Sequence, residues 1–438
     1  MNTKSIALLT LATALLWLLS GCVLQDKCEE DVTYIHMEPV YMDMADLRTL
    51  VGPEAARPLE NPGKIYVKDQ YVLINEVNEG VHVIDNLDPS NPTNVAFIRI
   101  PGAHDMAVKG TYLYVDSYVD MVTLDISDPT NAREVNRQEN VIPHGSWHPG
   151  LEADPSRGIA VRFEEQRVTE TVPCDNWRNM PQQWGMQNTF VERDDNTTMA
   201  FDMSGAASPM SGEVPNGIGG SMARFTLVND YLYMVNTSEL VTYSVGDLDN
   251  PQLTSRQEIA SWTLVETVFP MQNHLLIGSM NGMFIYSLSD PANPTYLSEM
   301  QHMTSCDPVV AEGDYAFVTL RNGNDCGNAV NQLDVVNISD MSSPWLVRSY
   351  EMFNPHGLGI SEGTLFICDG DAGLKIYDAS EINAIDRNQL AHFPDIHAYD
   401  VIPLVDVLLL IGEDGFYQYD YSDLNDIRLL SSIPVPVQ

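Results

Sequence analysis

Apolar and polar residues alternate with a period of two from Gly63 nearly to the C-terminus. That is the signature of half-buried strands rather than of helices. The clearest unit is Gly110 to Pro129. Two apolar runs, Tyr112 to Val115 and Met121 to Leu124, flank a polar turn, and Asp125-Ile126-Ser127-Asp128-Pro129 closes the pair. The same ending returns as Val83-Ile84-Asp85 before Leu87-Asp88-Pro89, Tyr243-Ser244-Val245 before Asp249-Asn250-Pro251, and Ile285-Tyr286-Ser287 before Ser289-Asp290-Pro291. Val335-Val336-Asn337, Ile376-Tyr377-Asp378, Tyr419-Asp420 and, less clearly, Phe201-Asp202-Met203-Ser204 complete the series. Neighbouring anchors mostly lie about 40 to 43 residues apart, the spacing of a four-stranded propeller blade.

Each period reads as four strands, in the second copy His104 to Lys109, Tyr112 to Ser117, Met121 to Ile126 and Ala132 to Gln138. A lone four-stranded sheet cannot bury both faces, whereas a closed ring of them can, and it protects the edges as well. No long helical pattern separates the strands, which excludes a parallel α/β fold. The expectation is an all-β chain with a single β-propeller over residues 63–438, eight blades favoured and seven the alternative. The interval from Asp125 to Asp202 is long, and removing an insertion at about 163–198 restores the period. That insertion falls between strands 2 and 3 of the third copy, whose fourth strand is hard to find between Gly205 and Gly220. At each cap, the Asp or Ser side chain can accept from a backbone amide two residues on, and proline fixes the turn. Calcium ligation by these carboxylates is the other reading, with no EF-hand spacing to support it.

The pattern Leu124-Asp125-Ile126-Ser127-Asp128-Pro129, with Val81-His82-Val83-Ile84-Asp85 and Asn293-Pro294, resembles the LVIVD-repeat family of bacterial propeller proteins. The likeness covers about residues 63–434. It implies a β-propeller, often on exported or surface-attached proteins, and implies no common activity.

The N-terminus changes the expected compartment. Lys4 precedes an apolar run from Ile6 to Leu19 that is short for a membrane span. Leu19-Ser20-Gly21-Cys22 then resembles a bacterial lipobox, which implies a signal peptide over 1–21, cleavage before Cys22 and acylation of that cysteine. Val23 in place of an inner-membrane aspartate points to the outer membrane, and Glu29-Glu30-Asp31 resembles surface-export signals of some lipoproteins. Residues 22–62 read as a tether with a short N-terminal segment, in which Tyr34 to Met42 alternates as a strand and Met44 to Val51 fits one helix. With 61 acidic residues against 22 basic ones, the chain carries a formal charge of -39. Such a surface repels phosphate backbones and argues against a nucleic-acid partner. The chain reads as a monomer whose partners are the membrane, through the anchor, and a protein or glycan.

Candidate chemistry gathers on one face. In a propeller, the connections into strand 1 and those between strands 2 and 3 share a face. Aligning first strands on Val108, Ile360 and Val401 places His104, His356 and His397 in equivalent positions, with Glu266 and Asp307 nearby and His144 and His148 in the matching connection of the third copy. Imidazoles and carboxylates at a channel mouth suit a divalent cation or a polar ligand. They equally suit hydrogen bonds that close the channel. The insertion brings Trp177, Arg178 and Trp184, residue types enriched in recognition patches, and is the candidate partner surface. Export permits disulfides. Cys306 and Cys326, both on this face, are expected to pair, while the partners of Cys28, Cys174 and Cys368 stay open. The chain has no HExxH and no phosphate-binding glycine loop. The favoured reading is therefore a non-catalytic binding or adhesion platform that needs no cofactor. The alternative is a metal-dependent hydrolase using the mouth residues.

Overall fold

The computed structural model describes residues 29–143, 153–154, 157–173, 189–191, 217–260, 264–301, 308–321 and 330–436. The chain divides into two compact units, one of residues 1–40 and 162–198, the other of residues 41–161 and 199–438.

The larger unit is a β-propeller. Among the described residues it contains seven blades, each an antiparallel sheet whose four core strands are consecutive in the chain. Blade one runs Pro62–Lys68, Tyr71–Glu76, Gly80–Asp85 and Thr93–Arg99. Blade two begins at Met106–Lys109 and ends at Arg133–Gln138. Blade three begins only at Phe225–Val228, and blade seven closes the chain with Arg428–Pro434. The alternation read from sequence is visible as burial. Middle strands such as Asp120–Asp125 are almost wholly buried, while outer strands such as Gln252–Glu258 are half exposed.

Seven blades, rather than the eight that the spacing favours, follow from the fate of the third copy. Gly158–Pro173 alternates as a blade strand would, yet it pairs with Glu29–Met42, in the order Ala153–Asp154, Gly158–Pro173, Glu29–Met42, Thr189–Val191. Alternation encodes a two-faced strand but not its partner. Within the smaller unit, Thr33 and Thr169 hydroxyls meet at 3.0 Å, and Thr171 donates to Asp31 at 2.6 Å. The strand expected over Tyr34 to Met42 is present and begins earlier, at Glu29. A helix at Met44–Arg48 follows it, capped by Asp43, whose side chain accepts from the Ala45 amide.

Two repeated devices shape the ring. First, the outer strand of each of the seven blades carries a one-residue bulge near its start, at Val95, Val135, Thr254, Leu297, Val347, Leu390 and Leu430. A bulge steepens local twist, which lets the outer strand wrap as the blade fans outward. Second, the caps are pairs of successive turns: Asp125 accepts from the Ser127 amide at 2.9 Å and Asp128 from the Thr130 amide at 3.1 Å. Asp420 and Asp423 repeat this with Ser422 and Asn425. The cap carbonyls then take donors from the preceding blade. Tyr114 donates to Leu248 O at 2.8 Å, Tyr233 to Pro291 O at 2.9 Å and Gln257 to Pro294 O at 2.9 Å. The cap is an interblade clasp.

The ring closes without exchanging strands between its ends. Blade seven meets blade one through Ile402, Leu409, Ile411 and Phe416 packed on Leu59, Ile65, Val67 and Ile74.

Candidate functional site at the channel mouth

Strand 2 ends, in several blades, on a buried polar residue facing the connection into strand 1. Asp116 accepts from the His104 and Asp105 amides at 2.7 and 2.8 Å. Asp369 accepts from the Phe353 and Asn354 amides and from Lys375. Glu76 takes the Glu60 and Asn61 amides and His82 Nε2. These connections leave backbone N–H groups unpaired by the sheets, and a carboxylate at the strand end satisfies two at once.

Around the channel wall the strand-1 entries carry charge. Lys64 of blade one lies 2.6 Å from Asp105, entering blade two, and Asp105 also accepts from the Arg224 amide, entering blade three. Arg224 Nε donates to Glu266 O at 3.1 Å, and its guanidinium is attracted by the Glu266, Asp105 and Asp116 carboxylates. Burial lowers the Lys64 and Arg224 pKa values against these attractions. Two carboxyls are left short of partners. Asp116 Oδ2 and both oxygens of Asp400 are buried without a well-formed hydrogen bond, although the Val401 and Ser221 amides lie close enough to Asp400 to favour its charged form. Burial pushes Asp116 up to about 7 despite its two amides, and Asp400 up to about 8.

The channel is occupied by the chain itself. Ile218–Gly219 adds to the inner strand of blade one, opposite Val67 and Tyr66. Gly217 N donates to Val108 O of blade two at 2.8 Å, and Ala223 O accepts from Val268 N of blade four at 2.7 Å. Ser221 Oγ accepts from the Leu358 amide of blade six at 2.9 Å. Residues 217–224 thus touch the inner strands on both sides of the ring. The run Gly217-Ile218-Gly219-Gly220-Ser221 suits so narrow a path. A Cβ on Gly217 would stand 2.1 Å from Tyr66 Cε1.

At the mouth of blades five, six and seven, three rings meet. The His356 and His397 centroids are 6.0 Å apart, and Tyr399 lies 5.7 Å from the first and 5.1 Å from the second. Arg321 Nη1 and Asn354 Nδ2 reach His356 Nε2 at 3.4 and 3.3 Å. His397 Nδ1 lies 2.5 Å from Asp371 on the blade-six hairpin. His356 is buried, and burial, then Arg321 and His397, hold its pKa well below the ordinary histidine value.

The model of the LVIVD repeat matches residues 102–138 and 305–352, stretches that coincide with blades two and five. The chain carries LVIVD repeats. No curated protein matches it. Among solved structures it is similar to PorZ, an essential bacterial surface component of the type-IX secretion system of Porphyromonas gingivalis, at 14% identity and a TM-score of 0.47, over 88% of this chain. It spans 39% of that PorZ chain. It is also similar to Sqt1 of Saccharomyces cerevisiae, at 9% identity and a TM-score of 0.47, covering 90% of this chain and 88% of the yeast one. Hsv2 of Kluyveromyces lactis aligns at 8% identity and a TM-score of 0.45, over 85% and 100% of the two chains.

The propeller brings some of the expected mouth residues together and separates others. His356 and His397 meet; Glu266 stands with Arg224, and His104 contributes its amide to Asp116. Among the described residues, no group of three or more His, Cys, Asp or Glu has the arrangement of a metal site. Asp307, Cys306, Cys326, Cys22, Trp177, Arg178 and Trp184 lie outside the described residues. Cys368 is a buried free thiol, and burial, then Asp400 and Asp369, push its pKa well up, so it serves as core. Asp369 and Asp371 sit in the hairpin turn before Leu374, with Asp369 also bracing the strand-1 connection. Residues 217–224 and the Lys64, Asp105, Arg224 and Asp400 set were missed. A charged residue at the start of successive apolar first strands was the available signal.

Proposed function

We propose that the protein is a bacterial cell-envelope lipoprotein, held in the outer membrane through Cys22, whose LVIVD propeller is a non-catalytic binding or adhesion platform for a protein or glycan. The observation that carries this reading is the state of the mouth's charged groups. Lys64, Asp105, Arg224 and Asp369 are bonded to one another, to Lys375 or to loop amides. Their chemistry holds the ring in register, and a rigid ring presents its loops for recognition. The Leu19-Ser20-Gly21-Cys22 junction supports the anchor. Trp177, Arg178 and Trp184 in the insertion support a partner surface. The formal charge of -39 favours a partner other than nucleic acid.

Two experiments test the reading. Cys22→Ser should move the protein from the membrane to the soluble fraction; unchanged membrane retention removes the anchor. Deleting residues 166–196 from the soluble mature chain should leave its thermal transition in place and abolish its retention on whole cells. Retention that survives the deletion overturns the platform reading.

A further inference from the structure

The three-ring cluster of blades six and seven has an unspent donor at its floor. Both groups that reach His356 Nε2, the Arg321 guanidinium and the Asn354 amide nitrogen, are donors. Nε2 therefore accepts, and the hydrogen of the neutral ring sits on Nδ1. That Nδ1 is buried with no hydrogen bond, on a side chain 1% exposed. A buried donor without an acceptor costs about 1–3 kcal/mol, so this one is ready for an acceptor brought from outside. The wall beside it is aromatic, with Tyr399 against both imidazoles. The rim is acidic: Asp371, whose side chain is 73% exposed, pairs with His397.

We propose that this cluster is a subsite for a neutral sugar residue, which names the ligand class of the binding platform and rests on that reading. A sugar hydroxyl accepts and donates at once. One hydroxyl takes the His356 Nδ1 hydrogen, while another gives to the Asp371 carboxylate. The apolar face of the ring lies against Tyr399, in the manner of sites that combine aromatic walls with a few placed polar groups. Charge decides between ligand classes. An acidic sugar or a phosphate meets the exposed Asp371 on a chain of formal charge -39, and a cation meets the Arg321 guanidinium at the floor. A neutral glycan meets neither penalty.

The test is saturation-transfer NMR on the soluble mature chain with methyl glucoside, methyl galactoside, methyl mannoside and N-acetylglucosamine, and with glucuronate as the charged comparator. At least one neutral sugar should show transfer and bind more than tenfold more weakly to Tyr399→Ala and to His397→Ala. Both residues are partly exposed, so the variants should keep the parent's thermal transition. His356→Gln, which alters the floor alone, should weaken the same sugar. The proposal is overturned if no neutral sugar binds, if only glucuronate binds, or if binding is unchanged in both wall variants. Cell retention that persists when no sugar binds would overturn the subsite and leave the platform intact.

Discussion

Asn86 of the first blade and Gln418 of the last exchange two side-chain hydrogen bonds, 2.9 Å in one direction and 2.7 Å in the other. Gln418 Nε2 also donates to Pro89 O at 3.0 Å, and Ser431 Oγ donates to the same carbonyl at 2.6 Å. Here the clasp seen between neighbouring blades elsewhere in the ring does a second job. Since, among the described residues, no strand crosses from one end of the chain to the other, these contacts and the apolar seam beneath them are the closure.

Gln418→Ala should therefore destabilise the ring by about 1–3 kcal/mol, because it removes both partners of the Asn86 amide group, while Pro89 O keeps only the Ser431 hydroxyl. A lower midpoint in guanidinium unfolding checks this. Faster hydrogen exchange should concentrate in blades one and seven. Exchange that rises evenly around the ring would argue against a seam.

The central segment is sensitive to volume. Gly217→Ala sets a methyl group on the Tyr66 ring and 2.8 Å from Val67 O. Backbone cannot yield as a flexible side chain can, so a loss of about 1–3 kcal/mol is expected. Ser221→Ala should cost about 1 kcal/mol by leaving the Leu358 amide unpaired. Thermal unfolding measures both.

The buried carboxyls make stability depend on pH. Asp400 titrates at about 8 and Asp116 at about 7 in the folded chain, both above the ordinary carboxyl range, because burial disfavours charge. Raised folded-state values mean that the folded chain holds these protons more tightly than the unfolded chain does. Their stabilising contribution is complete at acid pH and is lost as pH rises to about 8. Asp400→Asn removes the larger effect, so its stability relative to the parent should climb between about pH 5 and 8 and level off above. A constant difference across that window would refute the assignment.

Asp120 works in the opposite sense. It is wholly buried, paired with Arg48 at 2.8 Å and Arg137 at 3.0 Å, and accepts the Asn140 amide. Burial pushes its pKa up, but these partners outweigh burial and hold it below the usual value. Its contribution is present at neutral pH and lost as pH falls through the depressed value. Asp120→Ala should cost about 3 kcal/mol at pH 7 and progressively less as pH falls below the ordinary carboxyl range, read from urea midpoints. Undocking of the Met44–Arg48 helix should accompany it, since Arg48 loses this anchor.

The sequence by itself determined the class of fold, the strand alternation, the approximate boundaries of nearly every blade and the mechanics of the cap. All of these are local. Period-two patterning, an Asp accepting from an amide two residues on and a proline-fixed turn depend on neighbours a few residues away, and each is written in consecutive letters. It also aligned His356 with His397, because blade-equivalent positions inherit equivalent places. Tertiary structure alone decided what depends on partners distant in the chain. Gly158–Pro173 carries a blade-like pattern, yet an N-terminal strand claims it, so the ring has seven blades. The Gly217 to Ser221 run reads as a loop until the inner strands converge on it. Lys64, Asp105, Arg224 and Asp400 are unremarkable letters in four different repeats. Only closure of the ring sets Lys64 2.6 Å from Asp105 and brings the four near enough for their charges to act on one another, and burial then keeps the Asp400 carboxyl protonated to higher pH.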